Sequence, residues 1–207
     1  IPERIWHYTF WVICGAVLFF LIFPLLVITP LSFNAVPFFT FTKEMLAFDP
    51  AGYSLVWYEE FFTSLNWQGA IRNSVIIAFF STIIATFLGT LASLGLSRPQ
   101  MPYRTLLMSL LISPMIVPLI ISAAGMFFFY SRIGLQATHL GVILAHAVLG
   151  TPFVVITVTA TLTGFDNNLI RASQSLGASP TTTFFKIIVP LITPGVISGA
   201  LFAFVTS

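Results

Sequence analysis

Charge is what this sequence has least of. Only 7% of its residues are Asp, Glu, Lys or Arg, against about a quarter in a soluble domain. None of its acids falls inside a long apolar run, so water is excluded as the solvent for most of the chain. Cysteine is nearly absent: Cys14 stands alone, and no intrachain disulfide can form. His7, His139 and His146 have no Cys, carboxylate or second His at ligand spacing, which excludes a zinc-type site. A net charge of +2, scattered along the chain, is too small for a nucleic-acid surface. No Gly-rich Walker A segment occurs, so the chain has no phosphate cradle of its own.

What it has in quantity is apolar sequence, 57% of the residues with a mean hydropathy of +1.01. The runs are each near the roughly 20 residues that carry a helix across a bilayer. Lipid offers no partner to an unpaired backbone group. The expected fold is therefore an all-α integral membrane protein, a polytopic helical bundle. Five spans are visible, at about 8–31, 71–96, 105–129, 140–162 and 194–207. The first run is too long for the apolar core of a secretory signal, and no small-x-small cleavage site follows it. The chain starts at Ile1 rather than Met, and the fifth span is incomplete at Ser207. The expectation is one transmembrane domain over 1–207, continuing into segments that are not included.

Basic residues in short loops set orientation. With a cytoplasmic N-terminus, Arg4, Arg98, Arg104, Arg171 and Lys186 lie inside, and Lys43, Arg72 and Arg132 outside. Segment 32–69 then forms an external loop, and 165–193 a cytoplasmic one. In the external loop, Leu55, Tyr58, Phe62 and Leu65 recur at helical spacing within Tyr53–Trp67. They predict a short amphipathic helix at the membrane surface, with Glu59 and Glu60 facing water.

Within the spans, Ala85, Gly89 and Ser93 form a small-residue stripe that permits close helix approach. Pro114, Pro118 and Pro152 interrupt spans three and four. Helix breaks of this kind free carbonyls and are candidates for lining a transport path, although many such prolines only kink a helix. His146 reads as a packed polar residue without a charged partner.

Segment 165–193 is too patterned for disorder. Asp166 can cap a helix whose apolar positions are Leu169, Ala172, Ser173 and Leu176, and Gly177 supplies a left-handed end. Ser179 and Pro180 are the cap and first residue of a second helix. It carries Phe184, Phe185, Ile187 and Ile188, and Pro190 is expected to stop it before Pro194 opens span five. Two short helices on a glycine hinge, too polar for lipid, suit a groove on another protein.

"LIRASQSLGASPTTTFFKIIVPLITPG" resembles the EAA loop of binding-protein-dependent ABC importer permeases of type I. Gly177 matches that loop's glycine, "IVPL" its Leu-Pro step, and Pro194-Gly195 its last element. "SFN", "WYEEFF", "RNS", "SPMIVP", "LAHAVLGTPFVV" and "LTGFD" resemble the spermidine/putrescine branch. One departure stands out: Arg171-Ala172-Ser173 occupies the place of Glu-Ala-Ala.

The resemblance implies a permease that is not catalytic by itself and binds no cofactor. ATP and Mg would be held by a dimer of ATP-binding subunits. The ATPase-coupling residues would be Arg171, Ala172, Ser173, Leu176, Gly177, Ala178, Ser179, Pro180, Phe184 and Phe185. Further implied partners are a second permease subunit forming a heterodimer, an extracytoplasmic substrate-binding protein, and the bilayer of a bacterial inner membrane. Polyamines are the implied cargo. Opines, amino acids, sugars and iron are alternatives within the same class. An ion-gradient carrier would want ionisable groups in its spans, and a structural subunit would have no use for the punctuated loop.

Overall fold

The apolar runs are helical, and strand structure among the described residues is limited to a bridge pairing Asn34 with Tyr53. The computed structural model describes residues 2–98, 100–166 and 168–207. Ile1, Pro99 and Asn167 lie outside the described residues, and with them one position each of the 97–104 turn and the 165–193 segment. The helices are α1 (Pro2–Leu31), α2 (Lys43–Leu46), α3 (Val56–Thr63), α4 (Leu65–Leu96), α5 (Arg104–Ile116), α6 (Leu119–Ile133), α7 (His139–Thr163), α8 (Asn168–Ser175), α9 (Pro180–Thr183) and α10 (Val189–Val205). By length and composition α1, α4, α7 and the Pro180–Val205 run can each cross a membrane, and α5 with α6 can form one further, broken span.

The sequence reading takes 1–207 as one domain, whereas the chain packs as two units, Ile1–Ala70 and Ile71–Ser207. In the first unit the most apolar window of α1 has no buried residue. The segment that follows is not a loose loop. Asn34, 2% exposed, donates from Nδ2 to the carbonyls of Phe38 (2.9 Å) and Thr40 (2.8 Å), while its Oδ1 accepts from the Val36 N–H at 3.0 Å. Thr42 caps α2, and Asp49 caps a 3-10 turn at Pro50–Gly52. The surface helix is shorter than expected. It ends at Thr63 because Ser64 is extended (ψ 123), and Leu65 and Trp67 belong to α4. Of the expected stripe, Leu55, Phe62 and Leu65 are largely exposed, while Tyr58 is turned back against this chain, stacked on Phe33.

The second unit is built on α7. Val154, Val155 and Val158 are fully buried, and Val154 and Val158 form one cluster with Ala85 of α4 and Ala203 of α10. Small residues set the distances. A Cβ on Gly89 would stand 2.7 Å from the Val154 Cβ, and one on Gly199 would stand 2.7 Å from the Val154 Cα. Ser93 donates to the Val155 carbonyl at 3.2 Å, tying α4 to α7. The small stripe of α4 thus packs helices, and α10 carries an equivalent one at Gly195, Gly199 and Ala203.

Two expected spans are corrected. The third, read as 105–129, is broken: α5 and α6 meet at 101°. Proline disfavours helical geometry in the residue before it, and Val117, preceding Pro118, is extended at ψ 131. Within α5, Pro114 leaves the Leu110 carbonyl without its backbone donor, and the Ser113 hydroxyl takes it at 2.8 Å. The fifth span does not begin at Pro194, nor does Pro190 stop the helix before it. The chain is helical from Pro180 to Val205, through a π-helical turn at Phe184–Ile188. A proline crowds the carbonyl four residues back and cannot bond to it. The wider π turn, with the Val189 N–H bonded to the Phe184 carbonyl, relieves that crowding just ahead of Pro190.

Candidate functional site

Two regions gather the residues singled out in the sequence. The first is the connector between α7 and α10. Asp166 Oδ1 accepts from the Asn168 N–H at 2.9 Å, capping the start of α8. At the other end Gly177 has φ +80. Ala178 N–H bonds to the Ser173 carbonyl and Gly177 N–H to the Gln174 carbonyl, both at 3.0 Å. That pair of bonds is the Schellman closure, and it needs a left-handed residue where Gly177 stands. Ser179 then accepts the Thr182 N–H at 3.2 Å, with Pro180 as the first residue of α9.

A hydroxyl pair fastens the two helices. Ser173 and Thr183 are both buried, and their side-chain oxygens lie 2.9 Å apart. Ser173 donates to the Ile170 carbonyl at 2.8 Å, which leaves the Thr183 hydroxyl to donate to Ser173. Sequence reasoning counted Ser173 among the apolar positions of the helix but did not find its partner. Thr183 lies among three consecutive threonines that look alike in the sequence.

Around this fastening most of the other residues face outward. Arg171, Ala172, Gly177, Ser179 and Pro180 are exposed, Ala178 and Phe184 are half-buried, and Leu176 and Phe185 are 88% and 63% exposed. Leu169, one of the apolar positions of α8, is also exposed. The rings of Phe184 and Phe185 meet edge to face at 5.1 Å. Large apolar side chains thus stand in the open on a well-capped frame, as a surface that meets another protein does. Arg171 is the one charged residue of α8.

The second region is a cleft of about 790 Å³ in the unit formed by 71–207. Pro114 and Pro118 line it at the α5–α6 break, facing Phe127 and Tyr130 of α6 and His146 and Phe153 of α7. Pro152 is not there. It is fully buried within α7, on the helix-packing side. Among the described residues no group of His, Cys, Asp and Glu could hold a metal ion.

Residues 85–207 match the family described as "Binding-protein-dependent transport system inner membrane component". The chain is 31% identical over 188 residues to the spermidine/putrescine transport system permease protein PotC of Haemophilus influenzae, covering 91% of this chain and 70% of that protein. It is 29% identical over 192 residues to PotC of Escherichia coli K12, covering 93% and 70%. It is 30% identical over 148 residues to the trehalose transport system permease protein SugB of Mycobacterium tuberculosis, covering 72% and 54%. Its fold is similar to that of a bacterial ABC transporter involved in import of the acidic polysaccharide alginate, with TM-score 0.69 and 16% identity, covering 99% of this chain and 71% of that one. With the family model spanning more than half of it and a relative of this similarity along nearly all of it, the chain belongs to the binding-protein-dependent transport system inner membrane components and is a permease subunit of an ABC importer.

Proposed function

We propose that this permease subunit imports polyamines of the spermidine/putrescine kind. The observation that carries the reading is extent of likeness. Permeases named for spermidine and putrescine align along 91–93% of the chain, whereas those named for trehalose and osmoprotective compounds align along 72% and 65%. The sugar and osmoprotectant relatives favour the second reading, another small neutral solute carried by the same machinery. Family membership leaves no support for an ion-gradient carrier.

In this reading α1 enters from the cytoplasm, 32–69 lies outside, and the 165–193 connector lies inside, in the inner membrane of a bacterium. The connector docks on a dimer of ATP-binding subunits, which hold ATP and Mg. Leu176 and Phe185 enter the docking groove, with Gly177 setting the angle between α8 and α9. A second permease subunit completes the path as a heterodimer, and an extracytoplasmic protein delivers the cargo. The geometry suits this coupling because α9, the π turn and α10 are one helical run. A push on α9 reaches α10 directly, and α10 is seated on α7 through Gly195 and Gly199. The bundle can then rock between outward- and inward-open states.

The test is uptake of labelled spermidine, putrescine and trehalose by cells that depend on the full-length transporter. Calorimetry on the cognate binding protein adds an independent measure. Amine uptake with micromolar-range binding is the expected result; trehalose uptake without amine uptake would favour the second reading.

A further inference from the structure

Pro190 is exposed within the helical run from Pro180 to Val205, where a proline removes one hydrogen bond and crowds the Lys186 carbonyl four residues back. The π turn at Phe184–Ile188 relieves the crowding and also changes the angular register of the run. There the Val189 N–H reaches five residues back, to Phe184, instead of four, so the turn absorbs one residue more than an α-turn does. One residue of α-helix is worth about 100° of rotation. Whatever follows the turn is rephased by that angle against whatever precedes it.

The run is fastened on both sides of the turn. Before it, Thr183 is 3% exposed and paired with Ser173 of α8. After it, Ile192, Gly195, Gly199 and Ala203 form the buried face of α10, and Gly195 and Gly199 sit against α7. Since α8 follows α7 after a short connection, the two fastenings pull on one side of the run. In an unbroken α-helix Thr183 would stand about 165° from the middle of the buried face of α10, on the opposite side. With the turn in π register that angle falls to about 65°. The turn allows both fastenings to form at once.

We propose that Pro190 is a positioning residue for coupling: it holds the turn in π register and so sets the rotational phase at which the docking helices α8 and α9 meet α10. The proposal rests on the coupling reading of the connector and deepens it. Without the proline, position 190 regains an N–H that can pair with the Lys186 carbonyl, and α register opens to the turn. A side-chain tip about 5 Å from the helix axis then travels about 8 Å around it. That displacement parts Thr183 from Ser173 and releases α8, with Leu176, from α9.

The experiment compares the complete transporter, with its ATPase and binding protein, as wild type, Pro190→Ala, a deletion of Ile188, and both changes together. Pro190→Ala should lose most of its binding-protein-stimulated ATPase activity. The deletion alone should lose it too, because it removes the residue that the π turn absorbs while the proline still opposes α register. Together the two changes give an unbroken α-helix in the native phase, and stimulation should largely recover. A proline with no part in the phase would instead make the two losses add. The phase itself is read by Ser173→Cys with Thr183→Cys in a Cys14→Ser background, since the native side-chain oxygens are 2.9 Å apart. Copper-phenanthroline oxidation in membranes should join the pair readily in the native phase and in the doubly changed chain, and several-fold more slowly with Pro190→Ala alone. This cross-link requires only an inserted chain, so it decides even where a variant fails to assemble. Equal cross-linking with and without Pro190, or losses that add, overturns the phase assignment and leaves the coupling reading intact. A wild-type chain that binds no ATPase removes both.

Discussion

The indole of Trp57 donates from Nε1 to the backbone carbonyl of Asn34 at 2.8 Å, tying the surface helix α3 to the turn that follows α1. Both residues sit in the short stretches, "SFN" and "WYEEFF", by which the sequence resembles the spermidine/putrescine branch. The neighbouring pair repeats the tie: the Ser32 and Tyr58 hydroxyl oxygens are 2.7 Å apart, and Phe33 stacks on Tyr58 at 5.2 Å. Asn34 is thus the organiser of the segment, through three bonds of its own side chain and one to its carbonyl.

Replacing Asn34 with Ala leaves the Phe38 and Thr40 carbonyls and the Val36 N–H without this partner. The expected loss is about 2–4 kcal/mol of local stability. Trp57→Phe, which removes one donor and keeps the ring, should cost about 1 kcal/mol. Limited proteolysis of the detergent-solubilised protein should show new cleavage within 35–53 for the first variant and little for the second. Equal resistance in both would mean the segment is held by something other than Asn34.

Gly177 makes a sharper case, since backbone and side-chain effects separate there. Nothing lies within 4 Å of where its Cβ would stand, so a substitution meets no steric wall. Its φ of +80 is the whole obstacle. Gly177→Val should cost about 1–2 kcal/mol, while Gly177→Asn, tolerant of left-handed geometry, should cost less. The spans are untouched, so membrane insertion should be normal in both. Binding-protein-stimulated ATPase activity should drop in the valine variant and largely survive in the asparagine one. Equal stimulation in the two variants would show that the angle between α8 and α9 is immaterial.

Gly199 is the opposite situation. It lies in regular helix, and the obstacle is the neighbour: a Cβ would fall 2.5 Å from the Thr157 Oγ1 and 2.7 Å from the Val154 Cα. Backbone cannot step aside as a side-chain tip can. Gly199→Leu should therefore force α10 off α7, cost about 3 kcal/mol or more, and lower the melting temperature of the purified protein. Gly15→Leu, with nothing within 4 Å, is the control and should melt as wild type.

These sites also show what the sequence exposes to reading. Helix ends were legible because caps are local: Asp166, Gly177, Ser179 and Pro180 each act within a few residues, and each does locally what its residue type predicts. The small stripe of α4 was legible for the same reason, and the matching stripe at Gly195, Gly199 and Ala203 would have been found by the same four-residue spacing. Contacts between elements were not legible. Ser173 with Thr183 and Trp57 with Asn34 depend on partners that no spacing rule identifies. Pro190 misled because a proline stop is only a tendency. A π turn upstream let the helix continue, and the broken third span went the other way, where Pro118 acted on an already weakened helix end at Val117.

Arg171 gives the last prediction. It is exposed, it is the only charge on α8, and the only acid from Gly164 to Ser207 is Asp166. With Lys186 the connector carries two cations against one anion, so a complementary groove should be acidic at its rim. Members of the resembled family carry Glu at this point, and a partner suited to that acid would repel Arg171. The cognate ATPase should therefore present Asp or Glu where Arg171 docks. Arg171→Glu should weaken copurification of that ATPase several-fold, the scale of an exposed ion pair converted to a repulsion, and Arg171→Gln should fall between. Raising the salt concentration should weaken the wild-type complex and strengthen the reversed one. Changing the facing acid of the ATPase to Arg should rescue the reversed permease. Unchanged copurification of Arg171→Glu at low salt would show that this position contributes no charge pairing to the docked state.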